Sequence, residues 1–183
     1  MIRFHEFSLE RFIQWCQDLG EKRFRARQVW EWVYHKGIDD WELMTDLSKE
    51  FRLVLQKNFQ LKSLHLDSTE TSKDQQTVKF LWKLEDGQFV ESVLIRAPGR
   101  KTVCVSSQVG CPARCAFCAS GKDGLMRNLT AVEIFEQVYQ IQTELKEKVS
   151  HIVFMGMGEP LENYDEVVSA LQMLCDEERL HFS

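Results

Sequence analysis

The chain has 183 residues, 44% of them hydrophobic, and a formal net charge of −5. This length allows one average domain, or a small module with part of a larger one, and the apolar content is enough for a core. No apolar stretch reaches membrane-spanning length and the first 15 residues lack a signal-peptide core, so we expect no membrane contact and a cytoplasmic location.

Positive charge is unevenly distributed along the chain. Residues 131–183 hold 3 Lys and Arg against 11 Asp and Glu, which leaves 20 against 17 in residues 1–130. If the protein has a nucleic-acid-binding surface, the charge distribution predicts that it lies in the first 130 residues. One basic cluster there consists of Lys22, Arg23, Arg25 and Arg27. Because such clusters are usually solvated faces, this one supports RNA binding only weakly.

Residues 1–62 are predicted to form a small helical module of an RNA-binding type. Ser8 and Ser48 are suited to begin helices, whereas Gly20 and Gly37 are suited to follow their ends. The predicted helix 25–35 carries aromatic and aliphatic residues at helical spacing, namely Val29, Trp30, Val33 and Tyr34. We expect these residues to pack in a core rather than to stack on bases.

Residues 63–100 change to the period of β-strands and are predicted to be a β-hairpin connector. Alternating apolar residues indicate strands near 78–84 and 89–95, and Asp86-Gly87 is a tight-turn signal between them.

Residues 101–183 are predicted to begin a parallel α/β architecture. A short strand near 101–106 leads into a group of cysteines, and Thr130 with Glu133 predicts a capped helix to about residue 147. A buried strand at 151–155, a glycine-rich loop and a helix at 165–175 follow. The predicted fold class is therefore α/β, with a helical module, a short β segment and the first βα units of a larger structure.

Three cysteines, Cys111, Cys115 and Cys118, have the spacing Cys-x3-Cys-x2-Cys. A four-iron cluster normally takes four thiolates, so three leave one iron open to a substrate or cofactor. Structural zinc, with Cys104 or a distant His as fourth ligand, is the alternative, although zinc ligands usually come as two paired knuckles. Cys16 and Cys175 lie on apolar helix faces and are expected to be inert.

A glycine-rich turn, Gly156-Met157-Gly158-Glu159-Pro160, directly follows the strand at 151–155. Glycines at the carboxyl end of a parallel strand allow a ligand to approach the backbone, and Glu159 could accept hydrogen bonds from an ammonium group. Taken alone, the motif is equally typical of a plain connecting turn.

These motifs together resemble the RlmN/Cfr family of radical S-adenosylmethionine (SAM) RNA methyltransferases, with the RlmN branch as the closer match. The resemblance covers nearly the whole chain. The segments that carry it are Phe24–Trp30, Val90–Ile95, Cys104–Cys111, Cys115–Cys118, Arg127–Thr130 and Phe154–Tyr164.

The resemblance implies a role for each matching residue. Cys111, Cys115 and Cys118 would hold a [4Fe-4S] cluster, and Gly158 with Glu159 would hold the amino group of SAM. Glu91 matches the proton acceptor, and Cys104 matches the resolving cysteine that forms a transient disulfide with a methyl-carrying cysteine. The residues alone favour a different interpretation, in which Cys104 is a buried strand cysteine and Glu91 an exposed strand carboxylate.

The implied activity is methylation of adenine carbon 2 in 23S rRNA and tRNA, with an electron donor such as flavodoxin. Only 65 residues follow Cys118, whereas a closed eight-unit barrel takes roughly 250. We therefore expect an incomplete radical SAM barrel that lacks the methyl-carrying cysteine and is inactive alone. A Cfr-like enzyme acting on carbon 8 and a non-catalytic RNA-binding remnant are the alternatives.

Overall fold

The computed structural model describes residues 1–182, which form two compact units. The first unit contains residues 1–62 and 177–181, and the second contains residues 63–176 and Phe182. Residues 177–181 thus lie in the first unit, although the sequence analysis grouped them with residues 101–183. The division of the chain into three domains at residues 62 and 100 stays a prediction. Within the described residues, no helix combines the length and apolar character that crossing a membrane requires.

The first unit consists of helices and one short parallel pair of strands. Its elements are β1 (Ile2–Arg3), α1 (Leu9–Asp18), α2 (Arg23–Trp30), α3 (Lys49–Asn58) and β2 (Phe59–Gln60). The Ser8 hydroxyl accepts a hydrogen bond from the Arg11 N–H, and the Ser48 hydroxyl accepts one from Phe51. Both predicted N-caps are therefore confirmed.

Helix α2 changes its geometry after Trp30. Residues Glu31–His35 form a π-helix, in which the Lys36 N–H donates to the Glu31 carbonyl at 3.0 Å. The residues of the predicted helix over 25–35 are thus helical, but only those up to Trp30 are α-helical, and the remainder form a π-helix. The wider π turn holds one additional residue and rotates the side chains that follow it.

Aromatic rings fill the core of the first unit. The Phe4 ring lies 4.9 Å from Phe12 and 5.7 Å from Phe59 between centroids, and Trp30 lies 4.6 Å from Tyr34. Trp30, Tyr34 and their helix neighbours Val29 and Val33 are all buried. The expectation that these residues pack in a core is confirmed.

The second unit is a five-stranded sheet with a small strand pair and two helices. Its elements are β3 (Leu64–Thr71), β4 (Thr77–Leu84), β5 (Phe89–Ala97), β6 (Arg100–Cys104), β7 (Gln108–Gly110), β8 (Leu125–Asn128), α4 (Ala131–Leu145), β9 (His151–Val153) and α5 (Tyr164–Cys175). The sheet order is β3-β4-β5-β6-β9, antiparallel except for the parallel pair β6–β9. The strands of the predicted connector are thus continuous with those of the α/β region.

Helix α4 lies against this sheet and carries polar groups on its buried face. The side-chain amide oxygen of Gln137 accepts a hydrogen bond from the Ser92 hydroxyl at 2.7 Å, and the Ser92 hydroxyl in turn accepts one from the Trp82 indole N–H. The predicted capping box of α4 is confirmed, because Thr130 and Glu133 exchange side-chain and backbone hydrogen bonds. The contact with Ser92 holds α4 against the face of the sheet that carries Trp82 and Ser92.

Candidate active site

The two predicted ligand-binding motifs lie at the same edge of the sheet. Strands β6 and β9 are parallel neighbours, and their last residues, Cys104 and Val153, are in register. The cysteine motif follows β6 through β7, and the glycine-rich loop follows β9 directly. The carboxyl ends of adjacent parallel strands are the usual place for cofactor binding in an α/β sheet.

Main-chain hydrogen bonds join the glycine-rich loop to the segment that precedes the cysteines. The Met157 carbonyl accepts from the N–H groups of Ser107 at 2.8 Å and Gln108 at 3.2 Å. The Ser106 hydroxyl accepts from the Met157 N–H at 2.9 Å, and the Gln108 side-chain oxygen accepts from the Glu159 N–H at 2.8 Å. The position of each motif therefore depends on the other.

Gly158 is required where the two segments approach most closely. Its φ is +101°, in the region that favours glycine, and a Cβ atom there would lie 2.6 Å from the Gln108 Cβ. Glu159 follows half-buried, and its carboxylate accepts from the Leu161 N–H at 3.4 Å. This turn presents backbone groups and one carboxylate beside the start of the cysteine motif.

The three cysteines lie on the connection between β7 and β8, which pair antiparallel. The Cys111 N–H donates to the Gly124 carbonyl at 3.1 Å and closes the base of this connection. A Cβ atom on Gly110, whose φ is +74°, would lie 2.0 Å from the same carbonyl oxygen. Further along, the Cys118 N–H donates to the Cys115 carbonyl at 3.0 Å.

The donor set fits an iron–sulfur cluster in kind and number. Cys111 is buried, Cys118 half-buried and Cys115 exposed, and all six cysteines of the chain are free thiols. Within residues 1–182, no three His, Cys, Asp or Glu side chains are gathered closely enough to hold a metal ion. Cluster binding therefore requires the connection to bring its three thiols together, and the exposed Cys115 has open space in which to move.

Glu91 and Cys104 occupy the face of the sheet opposite the residues that contact α4. Val90, Ser92 and Leu94 of β5 are buried, so Glu91 and Val93 point to the other face, and Val93 is in register with Cys104. The Glu91 carboxylate lies 3.4 Å from the Lys79 ammonium, which is also 3.0 Å from Glu70. The hydrogen bond to Glu70 has the largest effect on the pKa of Lys79, the hydrogen bond to Glu91 has the next largest, and both raise it.

Glu91 also lines a pocket on this face of the sheet. The residues that line it are Ser68, Thr69, Glu70, Lys79, Leu81 and Glu91. The structure therefore brings Glu91 and Cys104 to one face, at the level where the cysteine motif begins.

The cysteines outside the motif have distinct environments. Burial raises the pKa of the Cys104 thiol, opposed by a hydrogen bond from the Met155 backbone. Burial, with the nearby Glu21 carboxylate, raises the pKa of Cys16 to about 12, in agreement with an inert thiol. Cys175 is exposed at the end of α5, so its predicted place on the apolar face is wrong.

Sequence reasoning missed the side chains that hold the two loops. Gln137 accepts from the Ser106 N–H at 2.8 Å and donates to the Ser106 carbonyl at 2.9 Å. Asn163 donates to the Ser107 and Leu129 carbonyls, both at 2.8 Å. The sequence did contain one indication of this role, namely a polar residue, Gln137, on a buried helix face, because a buried polar side chain requires a hydrogen-bond partner.

The basic cluster of the first unit is only partly available for a ligand. Lys22 and Arg23 are exposed. Arg25 donates to the Gln28 side chain at 2.8 Å and to the Asp46 carbonyl at 2.9 Å, and Arg27 lies 3.6 Å from Glu178. Two of the four predicted cations therefore already have partners within the protein.

Comparison with protein families gives two matches along the chain. Residues 2–61 match the N-terminal domain of ribosomal RNA large subunit methyltransferase (RlmN), and residues 105–183 match the radical SAM superfamily. The second match implies a [4Fe-4S] cluster and SAM as cofactors, as predicted.

Curated relatives agree with both matches. A probable dual-specificity RNA methyltransferase RlmN 2 of Protochlamydia amoebophila is 51% identical over 92% of this chain and 48% of its own length. A probable RlmN of Fervidobacterium nodosum is 47% identical over 92% of this chain and 49% of its own length. The chain spans about half the length of the curated relatives it matches.

A crystal structure of a radical SAM methyltransferase from Sphaerobacter thermophilus is similar over the whole chain. The TM-score is 0.91 at 37% identity, and the match covers 55% of that protein. This likeness confirms the predicted fold class, including the partial radical SAM barrel. The chain therefore resembles RlmN methyltransferases over 92% of its length, and its residues 105–183 match the radical SAM superfamily.

Proposed function

We propose that the chain works as part of a radical SAM methyltransferase that acts on carbon 2 of adenine in 23S rRNA and tRNA. The main support is the set of hydrogen bonds that joins the glycine-rich loop to the segment before the three cysteines. This arrangement supports the proposal, because the connection that carries the three cysteines and a carboxylate-bearing turn lie at one edge of a parallel sheet. The proposal of RNA as the substrate is based on the similarity of the chain to relatives named as dual-specificity RNA methyltransferases RlmN.

The residues at this edge divide into two binding groups. Cys111, Cys115 and Cys118 would hold the cluster through thiolates, and Glu159, with the backbone at Gly158, would accept hydrogen bonds from the SAM ammonium group. When bound, the cluster and SAM supply the radical chemistry that a non-nucleophilic adenine carbon requires. The Gly158 turn keeps the carboxylate beside the cysteines.

Glu91 and Cys104 would act on the substrate from the shared face of the sheet. Glu91 would accept a proton from the adenine carbon, and its carboxylate lies 3.4 Å from the Lys79 ammonium. Cys104 would provide the thiol that releases the product through a transient disulfide with a methyl-carrying cysteine. Because burial raises the pKa of Cys104, its thiolate forms less readily until the local environment changes.

The cofactor sites are tested by anaerobic reconstitution of the chain with iron and sulfide. We expect iron loading in the wild type and SAM binding measured by equilibrium dialysis. Glu159→Gln should weaken SAM binding while leaving the iron content unchanged, because it removes a charge but alters neither a thiolate nor the backbone of the turn. SAM binding by Glu159→Gln equal to that of the wild type would contradict the assignment of this turn.

The alternatives are separated by the product formed when the chain is joined to the remaining half of a relative. Mass spectrometry of digested RNA distinguishes 2-methyladenine from 8-methyladenine, and the absence of both favours a non-catalytic remnant. The electron donor, such as flavodoxin, belongs to the same proposal and is supported by the exposure of Cys115. A cytoplasmic location is also proposed, in accord with six free thiols.

A further inference from the structure

One face of the first unit carries aromatic side chains that the core does not use. Phe24, Gln28 and Trp32 follow one another at intervals of four residues along α2 and its π-helical continuation. Phe24 is 48% exposed and Trp32 is half-buried, whereas Trp30 and Tyr34 of the same segment are buried. We call Phe24, Gln28 and Trp32 the outer stripe.

Asp46 fixes the outer stripe through its polar groups. Its carboxylate accepts from the Trp32 indole N–H at 2.6 Å and from the Gln28 amide at 3.1 Å. Arg25 donates to the Gln28 side chain and to the Asp46 carbonyl. Because the half-buried indole is already held by its edge, binding against the accessible part of its ring would cost little additional side-chain entropy.

A positively charged side chain lies over each aromatic ring of the outer stripe. The Lys36 ammonium lies 3.6 Å from the Trp32 ring centroid, and the Arg25 guanidinium lies 4.8 Å from that of Phe24. Lys22 and Arg23 are exposed at the start of α2. The nearby acidic groups have partners, since Asp46 accepts the bonds described above and Glu31 lies 4.0 Å from His35. Flat apolar rings beside positive charge match the bases and phosphates of a nucleic acid.

We propose that the outer stripe binds a single-stranded segment of RNA, with Trp32 and Phe24 stacking on unpaired bases and Arg23 and Lys36 contacting phosphates. The inference rests on the proposed function and locates one RNA contact in the first unit. A duplex is disfavoured as the ligand, because its bases are already stacked on one another and offer no free face to the rings.

The test measures binding of the 183-residue chain to an RNA hairpin with an unpaired loop and to a duplex of equal length. The wild type should bind the hairpin more tightly. Trp32→Ala should weaken hairpin binding about tenfold and reduce this preference. It should leave the slope of log affinity against log salt unchanged, because an indole contacts no phosphate. Lys36→Gln should instead lower that slope by about 0.7.

Two further variants separate stacking from a merely structural effect. Trp32→Phe removes the N–H that binds Asp46 but keeps a ring, so it should retain most of the affinity. Leu53→Ala changes a side chain that is 65% exposed on α3, outside the outer stripe, and should have no effect. Thermal unfolding of each variant shows whether it is folded.

The possible results distinguish this inference from the proposed function. If the wild type binds RNA but Trp32→Ala binds as well as Leu53→Ala, the inference is wrong and the proposed function is unaffected. If Trp32→Phe is as weak as Trp32→Ala, the bond to Asp46 matters rather than stacking, and the inference is also overturned. Failure of the wild type to bind any RNA contradicts both.

Discussion

At the scale of single residues, six free thiols divide into three that share one connection and three that do not. We expect Ala substitution of Cys111, Cys115 or Cys118 to abolish iron loading, because each would supply one of three thiolates. Iron and sulfide analysis after anaerobic reconstitution measures this. Cys16→Ala and Cys175→Ala are the controls, and the exposed Cys175 is the stricter one. Iron loss in Cys175→Ala together with a dispensable Cys118 would refute the assignment.

His5 is a second residue whose behaviour the structure determines. The Leu61 carbonyl can only accept, so Nε2 carries the proton and donates to it at 3.1 Å, while Nδ1 accepts from the Tyr34 hydroxyl at 2.8 Å. Burial, and then the nearby Arg179 charge, lower the pKa of His5 from 6.5 to about 3. The folded state therefore holds neutral His5 at all but strongly acidic pH.

This environment predicts acid destabilisation of the first unit. Below pH 6.5 the unfolded chain binds a proton that the folded chain does not, so stability is lost as pH falls toward 3. The free energy of unfolding should drop by about 2 kcal/mol between pH 7 and pH 5. Denaturant titrations followed by tryptophan fluorescence measure it, since four of the five Trp residues lie in this unit. His5→Gln should abolish this decrease of the free energy of unfolding with falling pH. If the decrease persists unchanged in that variant, another titratable group causes it.

At the scale of elements, one buried carboxylate joins helix α4 to the start of strand β3. Glu136 accepts hydrogen bonds from the Ser63 and Leu64 N–H groups at 2.7 and 2.9 Å, and from Gln140 at 3.1 Å. Burial nevertheless raises the pKa of Glu136 from 4.5 to about 7, although these bonds oppose the shift. The hydrogen bonds thus favour the ionised carboxylate, whereas its burial away from water disfavours that form more strongly.

Glu136→Gln should relieve this conflict. The amide oxygen can accept from the two N–H groups, and the amide nitrogen can donate to the Ser63 hydroxyl. In the wild type, stability should fall by about 3 kcal/mol as pH rises from about 4.5 to about 7, because the unfolded state releases a proton that the folded state retains. The variant should lack this slope and be more stable at pH 7. Unfolding monitored by circular dichroism measures both, and a less stable variant at pH 7 would show that the carboxylate is needed ionised.

At the scale of the whole molecule, the two units should respond to pH in opposite directions. His5 lies in the first unit and Glu136 in the second. Between about pH 6.5 and pH 5, the first unit should lose stability while the second gains it. Peptide-resolved hydrogen exchange, with each rate divided by the intrinsic rate of the unfolded peptide at the same pH, should show less protection in α1 and α2 and more protection in α4 and β3 as the solution is acidified. Parallel changes of these protection factors in all four elements would contradict this separation.

Local chemistry explains why much of this fold was predictable. Serine caps, the Thr130–Glu133 box and the aromatic spacing of α2 act within a few residues, so the sequence alone indicates them. The π-helix at Glu31–His35 was not predicted, because its extra residue has no signal in apolar spacing. Trp32 was missed for a related reason, since spacing alone does not separate a half-buried ring from the fully buried Trp30 two residues earlier.

The sequence by itself determined the candidate ligands, because cysteine spacing and a glycine-rich turn are properties of short segments. Only the tertiary structure decided that these segments meet. Their meeting depends on the parallel pairing of β6 with β9 and on Gln108, Gln137 and Asn163, which hold backbone groups far apart in the chain. Likewise, Glu91 and Cys104 share a face only because Val93 pairs with Cys104. Strand register and buried hydrogen bonds arise from contacts between distant residues, so no local pattern specifies them.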